Sequence, residues 1–121
     1  MEKISKILIT IQGNFVAPRF DMVSEVLIAS AAGQKLTEKP RTILISRPSA
    51  DELCSFITKE DIAIVVCGGI EERHYKYLSW TKKKIFDSVI GPYEEALQLV
   101  LENRLVSGTI LSGAVGDEAC P

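Results

Sequence analysis

The sequence has few of the residues that would identify its chemistry directly. Its 121 residues include one histidine and three cysteines, and Cys54, Cys67 and Cys120 have no regular spacing. An odd, irregular set of cysteines is not a disulfide framework, so we expect reduced thiols in a cytoplasmic protein. The net charge of -2 shows no basic excess. We therefore expect no nucleic-acid partner, since such surfaces are usually basic.

We also expect no leader peptide and no membrane-spanning segment. The first residues, MEKISK, precede no signal-peptide core, and no apolar run approaches the roughly 20 residues that span a bilayer. We expect no membrane partner. The composition, 46% hydrophobic and 25% charged, is that of a globular chain. The length suits one domain, which we place at residues 1–106, followed by a flexible tail at 107–121 that is rich in small residues.

The order of apolar segments predicts a single-domain α/β fold. Five strands are predicted, at residues 6–11, 26–29, 42–46, 62–67 and 84–87. Three helices are predicted, opening near residues 48–49, 71 and 91–92. This order, β-β-β-α-β-α-β-α, favours an antiparallel meander followed by parallel crossovers, and hence a mixed five-stranded sheet flanked by helices. The fourth strand is apolar without alternation, which indicates a position inside the sheet.

Residues 62–78 combine the largest number of potential ligand groups. A predicted strand ends in Cys67, Gly68 and Gly69 form a turn, and the helix that follows carries His74. The first N–H groups of a helix have no partner and its dipole is positive there, so such a turn suits an anion. Cys67 and His74 are two metal-ligand types beside that turn, and the helix end is expected to lower the pKa of Cys67. The alternatives are a buried apolar cysteine, a hydrogen-bonded histidine and glycines needed only for a tight turn.

A second segment, the long irregular stretch 13–24, is expected to lie near the glycine turn and to line the same cleft. Arg19 in this loop offers a planar fork of donors to an anion, and the alternative is an ion pair with Asp21 that anchors the loop. Cys54 falls beside the apolar stripe of the first helix and is expected in the core.

Three segments resemble successive motifs of the dinitrogenase iron–molybdenum cofactor biosynthesis family, which includes NifX and NifB C-terminal-like domains. They are residues 13–21 (GNFVAPRFD), 66–70 (VCGGI) and 89–96 (VIGPYEEA). The resemblance implies a ribonuclease H-like motif and a small carrier or chaperone of an anionic iron–sulfur cofactor or its precursor. It also implies partners among metallocluster-assembly or recipient proteins. In this interpretation Arg19, Gly68, Gly69 and Ile70 bind the cofactor, and Cys67 and His74 are ligands to its metal.

A ribonuclease H-like motif also suggests a nuclease, which needs several carboxylates converging on two metal ions. The first predicted strand carries none, and Asp61 and Asp87 flank strands instead of lying within them. No Walker loop and no Ser/His/Asp order is present. We expect no enzymatic activity. A metal-free protein-interaction or regulatory module of the same fold remains open beside the cofactor carrier, as does an undetected enzyme.

Overall fold

The computed structural model describes residues 4–45 and 49–111. Within them the strands are β1 (Ile4–Gln12), β2 (Phe15–Val16), β3 (Glu25–Ala32), β4 (Lys35–Leu36), β5 (Arg41–Leu44), β6 (Ile64–Val66) and β7 (Lys84–Phe86). The helices are α1 (Ala50–Lys59), α2 (Glu72–Trp80) and α3 (Tyr93–Leu101), with a short 3-10 helix at Phe20–Met22. None of the helices in this described part of the chain is long and apolar enough to cross a bilayer.

The seven strands form one mixed sheet, which confirms the predicted fold class. The main order is β4-β3-β1-β6-β7, while β5 also pairs with β3 and β2 pairs with β1. β1 and β3 are antiparallel, whereas β6 runs parallel to both β1 and β7. The five predicted strands are β1, β3, β5, β6 and β7. β2 and β4 were not predicted, because two residues are too few to show the alternation of a strand.

The sheet is covered on both faces, and β1 supplies side chains to both. Leu8 packs with residues of α1, α2 and the 3-10 helix on one face, and Ile7 and Ile9 pack with α3 on the other. This two-sided burial explains the continuous apolar run in β1. β6 lies between β1 and β7, so its predicted position inside the sheet is confirmed.

The first helix begins as the sequence predicts. The Ser49 side chain accepts a hydrogen bond from the backbone N–H of Glu52, at 3.3 Å, which caps α1. Pro48, which was expected to open this helix, lies outside the described residues. Leu53 and Ile57 then turn inward and are almost fully buried.

The segment that follows α3 packs along the outer edge of β7. Asp87 makes two hydrogen bonds there: its N–H donates to the Ser107 hydroxyl and its carbonyl accepts from the Gly108 N–H. Leu111 is 4% exposed, and its N–H donates to the Ile90 carbonyl at 2.8 Å. Residues 107–111, which the sequence analysis assigned to a flexible tail, are therefore packed against the domain. Residues 112–121 of that tail, with Cys120, lie outside the described residues.

Candidate functional site

The loop after β1 is joined to the glycine turn by two reciprocal hydrogen bonds. The Gly69 N–H donates to the Pro18 carbonyl, and the Phe20 N–H donates to the Gly69 carbonyl, each at 2.8 Å. Because β1 and β6 are parallel neighbours, the segments that follow them leave the same edge of the sheet. The structure confirms that the loop and the turn lie together.

The third motif segment, residues 89–96, lies at the same edge of the sheet. The Val16 N–H donates to the Gly91 carbonyl at 2.9 Å, and the Tyr93 N–H donates to the Asn14 carbonyl at 3.1 Å. All three motif segments are thus linked by main-chain hydrogen bonds. The three segments border a cleft of about 270 Å³. The cleft is lined by Val16, Pro18, Gly68, Gly69, Ser88, Val89 and Ile90.

The main chain after Gly69 has unused donors but little net positive charge. Gly69 itself donates to Pro18, so its N–H is not free for an anion. Within residues 4–45 and 49–111, the N–H groups of residues 70–73 have no acceptor, and the His74 N–H donates to the Glu71 carbonyl. The carboxylates of Glu71 and Glu72 lie at this end of α2 and offset its dipole. The side chain of Ile70 packs against the core, so only its main chain could serve a ligand.

Arg19 is held by Asp21, as one of its two interpretations predicted. The Arg19 Nε and Nη2 atoms donate to the two carboxylate oxygens of Asp21, at 3.0 and 2.7 Å. These hydrogen bonds hold the pKa of Asp21 below its usual range. A guanidinium has five N–H groups and this pair uses two, so three remain for a further acceptor. The Arg19 side chain is 65% exposed and can reach a ligand from solvent.

Cys67 is buried in the core, and the expected lowering of its pKa is wrong. The residue has no exposed surface and packs among apolar side chains on the α1 and α2 face of the sheet. Burial raises the pKa of its thiol to about 12, with smaller contributions from Asp87 and Cys54. The helix end has no lowering effect because α2 begins only at Glu72, five positions later, and the thiol faces the core.

His74 is buried beside the loop and lacks an expected partner. It is 5% exposed, and its Nε2 has no hydrogen-bond partner among the described residues. Its ring lies 6.1 Å from the Phe20 ring, measured between centroids. A buried ring nitrogen without a partner is uncommon and costs free energy, about 1–3 kcal/mol for a neutral group. His74 is therefore a candidate ligand site, and not a histidine satisfied by a neighbour.

A second cavity, of about 300 Å³, lies between α1 and α2 and includes His74. We call it the α1–α2 cavity. It is lined by Asp51, Cys54, Ser55, Arg73, His74 and Tyr77. The two buried members, Cys54 and His74, form its floor, and the four exposed polar ones form its rim. Cys67 lines neither this cavity nor the cleft at the glycine turn.

Cys54 belongs to the hydrophobic core, as the sequence predicted, and it also lines the α1–α2 cavity. Burial and the nearby Asp51 carboxylate raise the pKa of its thiol to about 11. Asp51, Cys54 and Ser55 share one face of α1 through their three- and four-residue spacing, which the sequence contains. What the sequence does not contain is the packing of that face against α2.

The residues that the structure describes do not form a site for a resident metal ion. Within the described ranges, no group of three or more His, Cys, Asp or Glu side chains is arranged to hold one. One or two ligands to a transient cargo fit the arrangement better than a closed coordination sphere. The His74 Nε2, which has no partner among the described residues, and the Cys54 thiol could supply that number.

No family model matches the sequence, and no curated protein matches it. Among solved structures, a crystal structure named PH0822 has a TM-score of 0.74 and 16% identity over 83% of this chain and 91% of its own. A protein from Methanocaldococcus jannaschii, provisionally named a dinitrogenase, has a TM-score of 0.66 and 22% identity over 89% and 95%.

A third solved structure, from Thermotoga, is provisionally named a NifB protein of the DUF35 family. It has a TM-score of 0.63 and 12% identity over 88% of this chain and 97% of its own. Identities this low establish the shared fold alone, and the neighbours are matched over nearly their full length. The chain therefore shares its fold with proteins that carry the names dinitrogenase and NifB, in agreement with the resemblance of its three motifs.

Proposed function

We propose that this protein reversibly binds an anionic iron–sulfur cofactor of the iron–molybdenum type, or its precursor, and performs no chemistry on it. The observation that carries the proposal is His74, whose buried Nε2 lacks a partner among the described residues although its ring lines a cavity open to solvent. An imidazole nitrogen suits iron as a ligand of intermediate softness. A metal bond would satisfy the atom that the fold leaves unpaired.

The small number of ligands supports reversible binding. A permanent cluster commonly takes four cysteines, and this chain has three. A cargo held by one or two bonds can be passed to an assembly or recipient protein without unfolding the carrier. The names of the neighbours from Methanocaldococcus jannaschii and Thermotoga support the same class of cargo.

Arg19 would supply charge and not a metal bond. Its three unused N–H groups and exposed position would let it contact an anionic cluster from solvent, although it does not itself line the α1–α2 cavity. The unpaired N–H groups of residues 70–73 would add weaker donors, and Gly68 and Gly69 would let the main chain approach. Cys67 was predicted as the second ligand, but its full burial and high thiol pKa weaken that role.

The test is anaerobic incubation of the protein with iron and sulfide, or with isolated iron–molybdenum cofactor, followed by gel filtration, iron analysis and visible absorbance. Wild-type protein should retain iron and colour. His74→Ala should lower the retained iron, and Arg19→Ala should weaken retention. Arg41→Ala, which removes an exposed arginine from β5, is the charge-matched control and should leave retention unchanged.

A metal-free interaction module is the second candidate. Ile90 and Ile110 are bridged to each other and are 54% and 62% exposed, which is unusual for paired aliphatic side chains. Wild-type protein that elutes colourless and iron-free under every condition above would favour this candidate over the carrier.

A further inference from the structure

The α1–α2 cavity combines two features that a metal cargo requires. Its floor holds a sulfur and a nitrogen ligand type, Cys54 and His74, which are 6% and 5% exposed. Its rim is exposed and polar, so a cargo can enter from solvent. A second, independent observation indicates a ligand here. The Nε2 atom of His74 is buried and has no hydrogen-bond partner in residues 4–45 and 49–111.

We propose that Cys54 and His74 are the two protein ligands, and that they bind one iron at a corner of the cargo in the α1–α2 cavity. This assignment rests on the proposed function and replaces Cys67 with Cys54. On binding, the S–H bond of Cys54 breaks and an iron–sulfur bond forms, while a ring nitrogen of His74 bonds to the same iron. The thiol proton and the exchangeable solvent ligands that the two residues displace from the iron leave through the open rim. No electron is transferred.

The two proposed ligands lie on different helices, which fix the positions of the side chains and leave the iron accessible from the rim. Cys54 lies in the middle of α1 and His74 in the first turns of α2, and both helices pack against the same face of the sheet. Neighbouring helices hold such side chains more precisely than a loop would. Because only two bonds form, the remaining positions on the iron stay with the cluster.

The rim of the cavity carries charges of both signs, which should affect how strongly an anionic cluster is retained. Arg73 is 71% exposed and would attract an anionic cluster, while Asp51, which also lines the cavity, would repel it. Asp51→Asn should therefore raise iron retention several-fold. Glu52→Gln removes the same charge one residue away, at a position that does not line the cavity, and should change retention less. Equal effects from the two variants would count against this cavity.

The deciding comparison is Cys54→Ala against Cys67→Ala, two variants that each replace a buried thiol by a methyl group. After anaerobic loading with iron and sulfide, Cys54→Ala should retain on the order of tenfold less iron than wild type. Loss of a residue that only hydrogen-bonds to a metal ligand already lowers metal affinity by about that factor. Cys67→Ala should retain the wild-type amount. Loss in Cys67→Ala with retention in Cys54→Ala, or equal loss in both folded variants, would overturn the assignment.

A second measurement uses wild-type protein and does not depend on variants that fold. Ferrous ion alone, under anaerobic conditions, should protect Cys54 from iodoacetamide, as mapped by peptide mass spectrometry, and should leave the slow labelling of Cys67 unchanged. Protection of Cys54 without retention of an assembled cluster would sustain this ligand pair while contradicting the carrier function. Absence of protection would overturn the pair even if the protein retains a cluster elsewhere.

Discussion

The carbonyl oxygen of Pro18 lies 2.5 Å from the point where a β-carbon on Gly68 would stand, and the Ala17 carbonyl oxygen lies closer still. A β-carbon on Gly69 would meet the same Pro18 oxygen at 3.4 Å, which is close to an ordinary contact. The two adjacent glycines therefore differ. The loop main chain lies so close to residue 68 that only glycine fits there, whereas residue 69 has room for a β-carbon.

This difference predicts unequal effects of two matched substitutions. Gly68→Ala should lower the free energy of unfolding by about 3 kcal/mol, because two backbone carbonyls must move. Gly69→Ala should change it by less than about 1 kcal/mol, since its hydrogen bonds use only main-chain atoms. Urea denaturation followed by circular dichroism measures both. Equal destabilisation by the two variants would contradict the steric argument.

Much of the fold could be predicted from the sequence because its signals are local. The apolar run of β6 and the serine cap of α1 depend on neighbouring residues, and the structure contains both. The meeting of the 13–24 loop with the glycine turn followed from one further rule, that parallel strands end at the same edge.

The candidate site was less predictable, because it depends on which faces of the helices pack against each other. Cys54 and His74 line one cavity because one face of α1 packs against α2, and no spacing within either helix contains that information. The pKa of Cys67 was predicted with the wrong sign for a related reason. Proximity in sequence to a helix start did not reveal that the thiol turns into the core, where burial dominates.

The packing of residues 107–111 predicts that Leu111 contributes to stability. Leu111→Ala should lower the free energy of unfolding by about 2–4 kcal/mol, because its buried side chain packs against Gly91 and the α3 face of the sheet. The neighbouring Ile110 is 62% exposed, so Ile110→Ala should change stability by less than about 0.5 kcal/mol. Thermal or urea unfolding of the two variants tests this. Similar small effects would place the end of the domain before residue 107.

The two described cysteines should differ in their reaction with iodoacetamide in the folded, metal-free protein. Cys54 lines a cavity open to solvent, whereas Cys67 has no exposed surface. Cys54 should react first, but slowly, since a pKa of about 11 leaves roughly a hundredfold less thiolate at pH 8 than an ordinary thiol has. Its rate should rise with pH up to about 11 and be unchanged in Cys67→Ala. Equal rates at the two thiols in folded protein would contradict the structure.

The buried thiol of Cys67 predicts a loss of stability at alkaline pH. Its pKa rises from an ordinary 9.0 to about 12 on folding, so between these values the folded state keeps a proton that the unfolded chain has lost. The contribution is fully present below pH 9.0 and is lost by about pH 12, at about 1.4 kcal/mol per pH unit. Cys67→Ala removes this titration and keeps all others. The difference in unfolding free energy between wild type and Cys67→Ala, measured in urea with reductant from pH 8 to 10.5, should therefore fall as the pH rises. A difference that stays constant over this range would show that the thiol is not held in the core.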